Sequence, residues 1–240
     1  MNQTDVFKQE EADNYFQRNK SGYTREMNEI LNSDLIIRVL DLYHLFPHSV
    51  IEIGAANGFR VEALRIRAQE KGWKNGEFVA VEPSKDAIDD GQKQYPNITF
   101  VQSTTDELEL SQKFELVIIN FVFHWVGREN LFKSIERLNS LCIDSSSETS
   151  GYLIIGDFSP CINKYKVKYH HTDKDMFTYK QNYADIFVST GMYLPISFLS
   201  YDYGTFDFSS TANDESNRRG IWLLKKLSEV HYINAEIGKK

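Results

Sequence analysis

The sequence predicts an α/β fold in which a doubly wound, mostly parallel sheet of seven strands carries helices on both faces. Short apolar runs alternate with helix-like segments between residues 49 and 157, which is typical of right-handed βαβ units. The run at 116–119 is continuously apolar, as expected for a strand covered on both faces. Two later strands are too close in sequence for a helical crossover, so we expect them to close the sheet as an antiparallel hairpin.

The elements can be assigned in chain order from apolar spacing and turn residues. Before Pro47 the chain is predicted to be helical, because apolar residues such as Leu35, Val39 and Leu42 recur at helical spacing. Strands are predicted at 49–53, 76–81, 97–101, 114–120, 151–156, 194–203 and 220–227. Helices are predicted at 60–71, 84–93, 131–142 and in a segment that ends at Gly191. Ser84 is expected to cap the second of these helices through its hydroxyl.

Two parts of the chain fall outside this alternation. Residues 1–46 are expected to form an amino-terminal helical cap on a main domain at 47–240. Within that domain, segment 158–183 is polar and rich in aromatic residues. We expect it to be irregular and to form a lid over a substrate, because long irregular segments in compact domains are usually functional.

Composition limits the classes of partner. The chain has 240 residues and a formal net charge of −7, which disfavours a surface built to neutralise nucleic-acid phosphates. The two cysteines, Cys142 and Cys161, form no CxxC pair, so a disulfide scaffold or structural zinc site has little support. The frequent Asn, Lys and Ile residues favour an AT-rich, bacterial genome.

The amino terminus and the apolar runs bear on location. Residues 1–20 are polar and charged and lack the apolar core of a signal peptide. No apolar run approaches the length that spans a bilayer. We therefore expect a cytoplasmic protein with no membrane partner, and the sequence does not indicate its oligomeric state.

The turn after the first predicted strand is built from small residues. The stretch 50–58 reads Val-Ile-Glu-Ile-Gly-Ala-Ala-Asn-Gly, and such a turn lets the backbone approach a ligand closely. Glu82 ends the next predicted strand, where a carboxylate can accept hydrogen bonds from a ribose diol. A structural tight turn and an incidental glutamate are the alternative interpretation. Taken together, the two features favour a nucleoside-binding site.

The same stretch resembles the first motif of class I S-adenosylmethionine-dependent methyltransferases. Glu52, Gly54 and Gly58 match this motif, whereas Ala56 replaces its central glycine. The resemblance covers about 49–157 well and the terminal hairpin loosely. It implies the Rossmann-like methyltransferase fold and S-adenosyl-L-methionine as cofactor.

The resemblance also assigns roles to residues after the other strands. It implies that Glu82, followed by Pro83, holds the ribose and that Thr105 and Asp106 lie against the adenine. Asn120 and Phe121 would lie beside the methionine part and the methyl group. In many relatives an amino-terminal helix covers the cofactor. Arg18 could then pair with the cofactor carboxylate, although an arginine on a solvated helix face is an equal alternative.

Methyl transfer requires no covalent catalyst, because the protein needs only to align the reactants and exclude water. A hydroxyl acceptor would benefit from a general base, whereas an amine needs only to be neutral. The candidate bases are His124, Asp157, His170 and His171. Packing and capping are the alternative roles for these residues, and two adjacent histidines in an extended segment should point in opposite directions. A metal site at Asp157 and a histidine is not supported by the spacing, so no metal is expected.

These observations predict a small-molecule methyltransferase, with a hydroxyl oxygen preferred as acceptor because histidine bases are present. A sugar, a nucleotide-linked compound or another secondary metabolite would fit. An NAD-dependent oxidoreductase is the alternative enzyme, but the second glycine of its GxGxxG motif is absent. A non-catalytic nucleoside-binding regulator on the same fold is the third alternative.

Overall fold

The computed structural model describes residues 3–146, 149–202 and 215–228. The strands are β1 (Ser49–Ile53), β2 (Glu77–Glu82), β3 (Thr99–Gln102), β4 (Leu116–Asn120), β5 (Gly151–Phe158), β6 (Tyr165–Lys168), β7 (Phe177–Lys180), β8 (Tyr193–Asp202) and β9 (Arg218–Lys226). Seven of them form one sheet with the order β3-β2-β1-β4-β5-β9-β8, and β6 with β7 forms a separate two-stranded sheet. The predicted fold class is therefore confirmed.

Strand β1 lies between β2 and β4 and is parallel to both, so that Glu52 is in register with Ala80 on one side and Ile118 on the other. The chain moves outward from β1 in one direction to β3 and then in the other direction to β5. This reversal leaves a crevice at the carboxyl ends of β1 and β4, where open α/β sheets bind their ligands. The pairs β5–β9 and β8–β9 are antiparallel, which confirms the terminal hairpin.

Helices cover both faces of the sheet. They are α1 (Gln3–Val6), a π-helical turn (Phe7–Glu11), α2 (Ala12–Tyr23), α3 (Met27–Ser33), α4 (Leu35–Leu42), α5 (Phe59–Glu70), α6 (Lys85–Gln94), α7 (Leu131–Leu141) and α8 (Ala184–Val188). Alternate residues of β1 point to opposite faces. Val50 packs in a cluster with residues of α3, α4 and α5, whereas Ile51 packs with residues of α7 and α8.

The amino-terminal helices and the β6–β7 hairpin meet at a third, smaller cluster. Val6 packs there with Tyr169 and Met176, and Phe7 and Trp125 lie against them. The side-chain amide of Gln3 ties the two parts together, since it donates to Trp125 O and Phe177 O and accepts from the Phe177 amide. The helical start of the chain is as predicted.

The expectation that 158–183 lacks regular structure is wrong in part, because β6 and β7 pair antiparallel within it. Each of these strands has only four residues, and most β6 side chains are exposed, so their sequence shows no apolar alternation. A smaller difference concerns Phe114, which forms an isolated bridge with Cys142 while β4 begins at Leu116. Tyr203, at the end of the predicted sixth strand, lies outside the described residues. In the part of the chain that is described, no helix has the length and apolar character needed to cross a bilayer.

Candidate active site

A cavity of about 350 Å³ lies at the carboxyl ends of the parallel strands, a size within the range of small-molecule sites. Its walls come from the β1–α5 turn, the ends of β2, β3 and β4, strand β9 and the amino-terminal helices. The lining residues predicted from sequence are Gly54, Ala56, Glu82, Pro83, Thr105, Asp106, Asn120 and Phe121. The predicted Arg18, Glu52 and Gly58 and all four candidate bases lie outside this lining.

The β1–α5 turn depends on backbone conformations that favour glycine. Gly54 and Gly58 have φ values of 70° and 77°, and Ala56 adopts φ 50° despite its side chain. A Cβ on Gly54 would overlap Val122, and one on Gly58 would lie 2.9 Å from Phe100 Cζ. Glycine is therefore required at both ends of the turn, whereas the alanine in the middle is tolerated in a strained conformation.

Glu82 joins this turn to the end of β2. Its Oε2 accepts the Ala56 amide at 2.9 Å and its Oε1 accepts the Ser84 amide at 3.0 Å. Burial raises the pKa of Glu82 to about 7. Each carboxylate oxygen can accept more than one hydrogen bond, so both can still receive a hydroxyl from a ligand. Ser84 caps α6, as predicted, by accepting the Ala87 amide.

The loop after β3 contributes polar atoms that lack protein partners. The hydroxyls of Thr104 and Thr105 are buried, and no described residue bonds to them, although both residues line the cavity beside Asp106. A buried hydroxyl without a hydrogen-bond partner is unfavourable unless a ligand or a water molecule bonds to it. A polar heterocycle such as adenine fits this end of the cavity.

Sequence reasoning missed Arg60, which lines the cavity from the first turn of α5. Its Nε donates to Asp34 Oδ2 at 3.0 Å, and its Nη1 donates to Glu52. Glu52 is only 1% exposed, and burial raises its pKa to about 7. The acidic residue of the first motif therefore orients a buried arginine, and the remaining nitrogen, Nη2, can serve a ligand. An arginine two residues after the last glycine was the available signal.

Arg18 lies elsewhere than predicted. Its Nη2 donates to Glu11 and to the Tyr169 hydroxyl, the latter at 2.7 Å. The same Tyr169 hydroxyl donates to Glu11. These contacts place Arg18 between α2 and the β6–β7 hairpin, outside the lining of the cavity.

The candidate bases do not converge on the cavity. His124 is 4% exposed, with Nδ1 2.9 Å from Asp157 Oδ1 and its amide donating to Asp157 Oδ2 at 3.1 Å. His170 and His171 are exposed in a bend after β6. Their ring centroids lie 4.0 Å apart, so the expectation that they point in opposite directions is wrong because the backbone there is not extended.

Aromatic side chains form much of the wall that sequence reasoning left unassigned. Tyr15, Phe16 and Tyr23 project from α2, and Trp125 follows β4. The Tyr15 and Trp125 rings meet edge to face with centroids 6.0 Å apart, and Phe16 stacks on Tyr23 at 5.7 Å. The amino-terminal segment was predicted to be helical, but its sequence did not indicate that this face of α2 lines the cavity. Across residues 3–146, 149–202 and 215–228, no group of three or more histidine, cysteine, aspartate or glutamate side chains could hold a metal ion.

Comparisons with known proteins agree with this geometry. A family model described as a methyltransferase domain matches residues 50–142, whereas no curated protein matches the chain. The N-methyltransferase NodS from Bradyrhizobium japonicum WM9, solved with S-adenosyl-L-homocysteine, is 12% identical with a TM-score of 0.56, covering 89% of this chain and 99% of its own.

A second solved structure is the 1,6-didemethyltoxoflavin-N1-methyltransferase of Burkholderia thailandensis, with bound 1,6-didemethyltoxoflavin and S-adenosylhomocysteine. It is 11% identical with a TM-score of 0.59, and the match covers 94% of this chain and 89% of that one. An S-adenosylmethionine-dependent methyltransferase from Clostridium acetobutylicum ATCC 824 is 11% identical with a TM-score of 0.56, covering 90% and 98%. Structures this distant in sequence establish the fold, and the family-model match adds a methyltransferase domain at residues 50–142. Residues 50–142 therefore match a methyltransferase domain, and the chain has the fold of these S-adenosylmethionine-dependent methyltransferases.

Proposed function

We propose that this methyltransferase transfers the methyl group of S-adenosylmethionine to a small molecule bound in the same cavity, on the side of β4, β5 and β9. The observation that carries the proposal is the cavity at the β1–β4 reversal, with Glu82 on one side of the turn and two buried threonine hydroxyls without protein partners on the other. When bound, S-adenosylmethionine supplies a methyl group on a positively charged sulfur and leaves as S-adenosylhomocysteine.

The lining supports one orientation of the cofactor. Glu82 accepts the ribose hydroxyls, and Thr104, Thr105 and Asp106 surround the adenine. Arg60 takes the carboxylate role that the sequence resemblance gave to Arg18, because it lies in the lining and its direction is fixed by two acids.

The small residues of the turn act through the backbone, whereas Glu52 acts through its carboxylate. Gly54, Ala56 and Gly58 shape the turn, and Glu52 orients Arg60. Asn120 and Phe121 lie at the end of β4, between the cofactor side and the acceptor side of the cavity. Pro83 extends the wall at the ribose.

The chain's own residues contribute alignment and exclusion of water. Tyr15 and Trp125 cover the cavity from outside the sheet, and their rings are hydrophobic on the faces that contact a ligand. A closed, apolar cover holds reactants in line and keeps water away from the methyl group. We also propose that residues 1–46 act as a cap and that 158–183 supports it as a lid, because Gln3 and Glu11 bond to the hairpin.

The lining favours a nitrogen acceptor. The preference for oxygen depended on histidine bases, and within the described part of the chain no histidine lines the cavity. A neutral amine or ring nitrogen needs no base to attack a methyl group. Two of the solved structures are named N-methyltransferases, which adds modest support.

A hydroxyl acceptor is the second candidate, and one observation favours it. The His124 and Asp157 side chains lie together beside Phe121: His124 Nδ1 is 2.9 Å from Asp157 Oδ1, and the ring centroids of Phe121 and His124 are 5.9 Å apart. With an aspartate beside Nδ1, Nε2 is the ring nitrogen that would act as a base, and a shift of the Phe121 ring would connect it with an acceptor.

Labelled-methyl transfer to paired amine and hydroxyl compounds tests the proposal. We expect transfer to amines and little change in turnover for His124→Ala. Transfer only to hydroxyls, with turnover reduced at least tenfold in His124→Ala but unchanged S-adenosylhomocysteine affinity, would favour the second candidate. If S-adenosylmethionine does not bind in calorimetry, the proposed function is wrong.

A further inference from the structure

We infer that Tyr23 is a specificity residue for the cofactor, an inference that rests on the proposed function. Its hydroxyl donates a hydrogen bond to the carboxylate of the amino-acid part, which Arg60 also holds. Tyr23 is the last residue of α2 and lines the cavity. A second donor to this carboxylate lets the site distinguish a nucleoside that carries an amino acid from other adenosine compounds.

The backbone of Tyr23 is fixed by the β1–α5 turn. Asn57 in this turn is fully buried, and its Nδ2 donates to the Tyr23 carbonyl at 3.2 Å and to Asp90 Oδ2 at 3.0 Å. Asp90 on α6 also pairs with Lys20 of α2 at 3.0 Å. The end of α2 is therefore attached to the turn that borders the cavity and to the helix behind it.

The Tyr23 ring and the Arg60 guanidinium pack on the same side chain. The Tyr23 and Phe59 rings stack with centroids 5.9 Å apart, and Arg60 Cζ lies 5.1 Å from the Phe59 centroid. Phe16 stacks on Tyr23 as well, at 5.7 Å and with nearly parallel planes. Both phenylalanines are buried, so the ring of Tyr23 has little freedom to move. Its hydroxyl is thus placed by packing before a ligand arrives.

The Tyr23 hydroxyl has no hydrogen-bond partner among the residues that the structure describes. Burial raises the pKa of Tyr23, the nearby Tyr15 and Glu82 raise it further, and Arg60 opposes the rise. The hydroxyl therefore keeps its proton at neutral pH, and it lies within electrostatic reach of both Glu82 and Arg60. A tyrosine hydroxyl that is withdrawn from bulk water usually finds a partner, and here a ligand can supply one.

The chemistry of the cofactor selects the carboxylate as this partner. Beyond the ribose, S-adenosylhomocysteine consists of a thioether, a short methylene chain, an ammonium and a carboxylate. A protonated phenol can donate to the carboxylate, and hydrogen bonds to charged groups are shorter and stronger than neutral ones. The Arg60 guanidinium attracts the carboxylate and repels the ammonium. The carboxylate is therefore the group that comes within reach of both donors.

Calorimetry on the full-length protein tests this with two matched ligands. They are S-adenosylhomocysteine and S-adenosyl-3-thiopropylamine, which lacks the carboxylate and keeps every other group. We expect Tyr23→Phe to weaken S-adenosylhomocysteine binding about tenfold, the loss expected for one hydrogen bond to a charged group. The same variant should bind S-adenosyl-3-thiopropylamine as tightly as the unchanged protein does.

Tyr95→Phe is the matched control and should leave both affinities unchanged. Tyr95 is also half-buried against the core cluster that contains Phe59, and its hydroxyl likewise bonds to no described residue. Unlike Tyr23, it lies outside the cavity lining. Tyr23→Phe keeps the ring and its stacking, so its melting temperature without ligand should equal that of the unchanged protein.

Two outcomes would overturn the inference. Unchanged S-adenosylhomocysteine affinity in Tyr23→Phe would show that the hydroxyl makes no bond to the cofactor. An equal loss for both ligands would show that Tyr23 acts on the ammonium, on the nucleoside or through the fold instead of on the carboxylate. Failure of S-adenosylhomocysteine to bind the unchanged protein is a different result, because it would contradict the proposed function itself.

Discussion

Arg60 is held between two acids that belong to different parts of the chain. Asp34 caps α4 by accepting the Ile36 and Ile37 amides through Oδ1, and its Oδ2 accepts from Arg60. Glu52 on β1 accepts a hydrogen bond from Arg60 Nη1 on the other side of the guanidinium. Because both acids are buried, the guanidinium has little freedom to turn. The direction of Nη2 is therefore fixed before a ligand arrives, which lowers the entropic cost of binding.

Replacing Arg60 with Met should weaken S-adenosylhomocysteine binding by about ten- to a hundredfold, since hydrogen bonds to charged groups contribute about 1.5–3 kcal/mol. Isothermal titration calorimetry measures this change. Arg65→Met is the matched control on the same helix, because Arg65 bonds to Glu62 and lies outside the cavity lining. An equal loss of S-adenosylhomocysteine affinity in the two variants would show that Arg60 acts only through the stability of α5.

Glu82 should make cofactor binding depend on pH. Burial raises its pKa to about 7, and only the ionised carboxylate can accept both ribose hydroxyls. Affinity for S-adenosylhomocysteine should therefore fall as the pH drops below about 7 and level off above it. Calorimetry between pH 5.5 and 8.5 measures this dependence, which Glu82→Gln should abolish. Glu52→Gln, at an acid whose pKa is also raised to about 7 but which lies outside the lining, should retain it.

The same raised pKa affects folding with the opposite sign. A carboxyl that is harder to ionise in the folded state binds more protons there than in the unfolded chain. Its contribution to the free energy of unfolding is complete below the unfolded pKa of 4.5 and is lost as the pH rises through about 7. The ligand-free protein should thus melt at a lower temperature at pH 8 than at pH 5.5, and Glu82→Gln should reduce that difference in thermal denaturation.

His124 and Arg60 show which residue-level features the sequence could reveal. The chain order placed His124 after β4, but the 3₁₀ turn Phe123–Trp125 directs its ring against Asp157, and such a short turn leaves no periodic signal. Arg60 was missed because Asp34 and Glu52 are distant in sequence and meet it only in the folded core. Glu82 was predicted because a strand end and a turn are both local patterns.

At the scale of elements, the β6–β7 hairpin is attached to the amino-terminal helices by a buried group of polar side chains. The Tyr169 hydroxyl donates to Glu11 and accepts from Arg18. Tyr169→Phe would leave the Glu11 carboxylate with one partner fewer, and a buried charge that loses a partner is destabilising. Removing this hydroxyl should therefore loosen the contact between the hairpin and α2.

Hydrogen exchange followed by mass spectrometry should show faster exchange over residues 3–23 in Tyr169→Phe, together with faster release of S-adenosylhomocysteine. Tyr165→Phe is the control on the same hairpin, because the Tyr165 hydroxyl bonds to Glu215 instead. If residues 3–23 exchange at the same rate in the Tyr169 variant and the unchanged protein, the hairpin does not hold the amino-terminal helices.

The strands that were predicted correctly are those whose apolar sequence pattern follows from burial alone. Strands β1, β2, β4 and β5 lie in the middle of the sheet, so most of their residues are apolar and buried on both faces. The β6–β7 hairpin carries Lys166 and Lys168 on its exposed side and depends on α1 for its packing. Its stability comes from tertiary contacts, which local composition does not record.

At the scale of the whole molecule, the cavity is lined by the sheet, the amino-terminal helices and the closing hairpin, so an occupant should stabilise all three at once. Ligand at one hundred times its dissociation constant adds about 2.7 kcal/mol to the free energy of unfolding. For a chain of this length that corresponds to a rise in melting temperature of roughly 5–10 °C. S-adenosylhomocysteine should produce this rise in differential scanning calorimetry, whereas NAD should not. Because we propose that Glu82 accepts the ribose hydroxyls, Glu82→Ala should greatly reduce the rise that S-adenosylhomocysteine produces. A rise with NAD and none with S-adenosylhomocysteine would contradict the assigned cofactor.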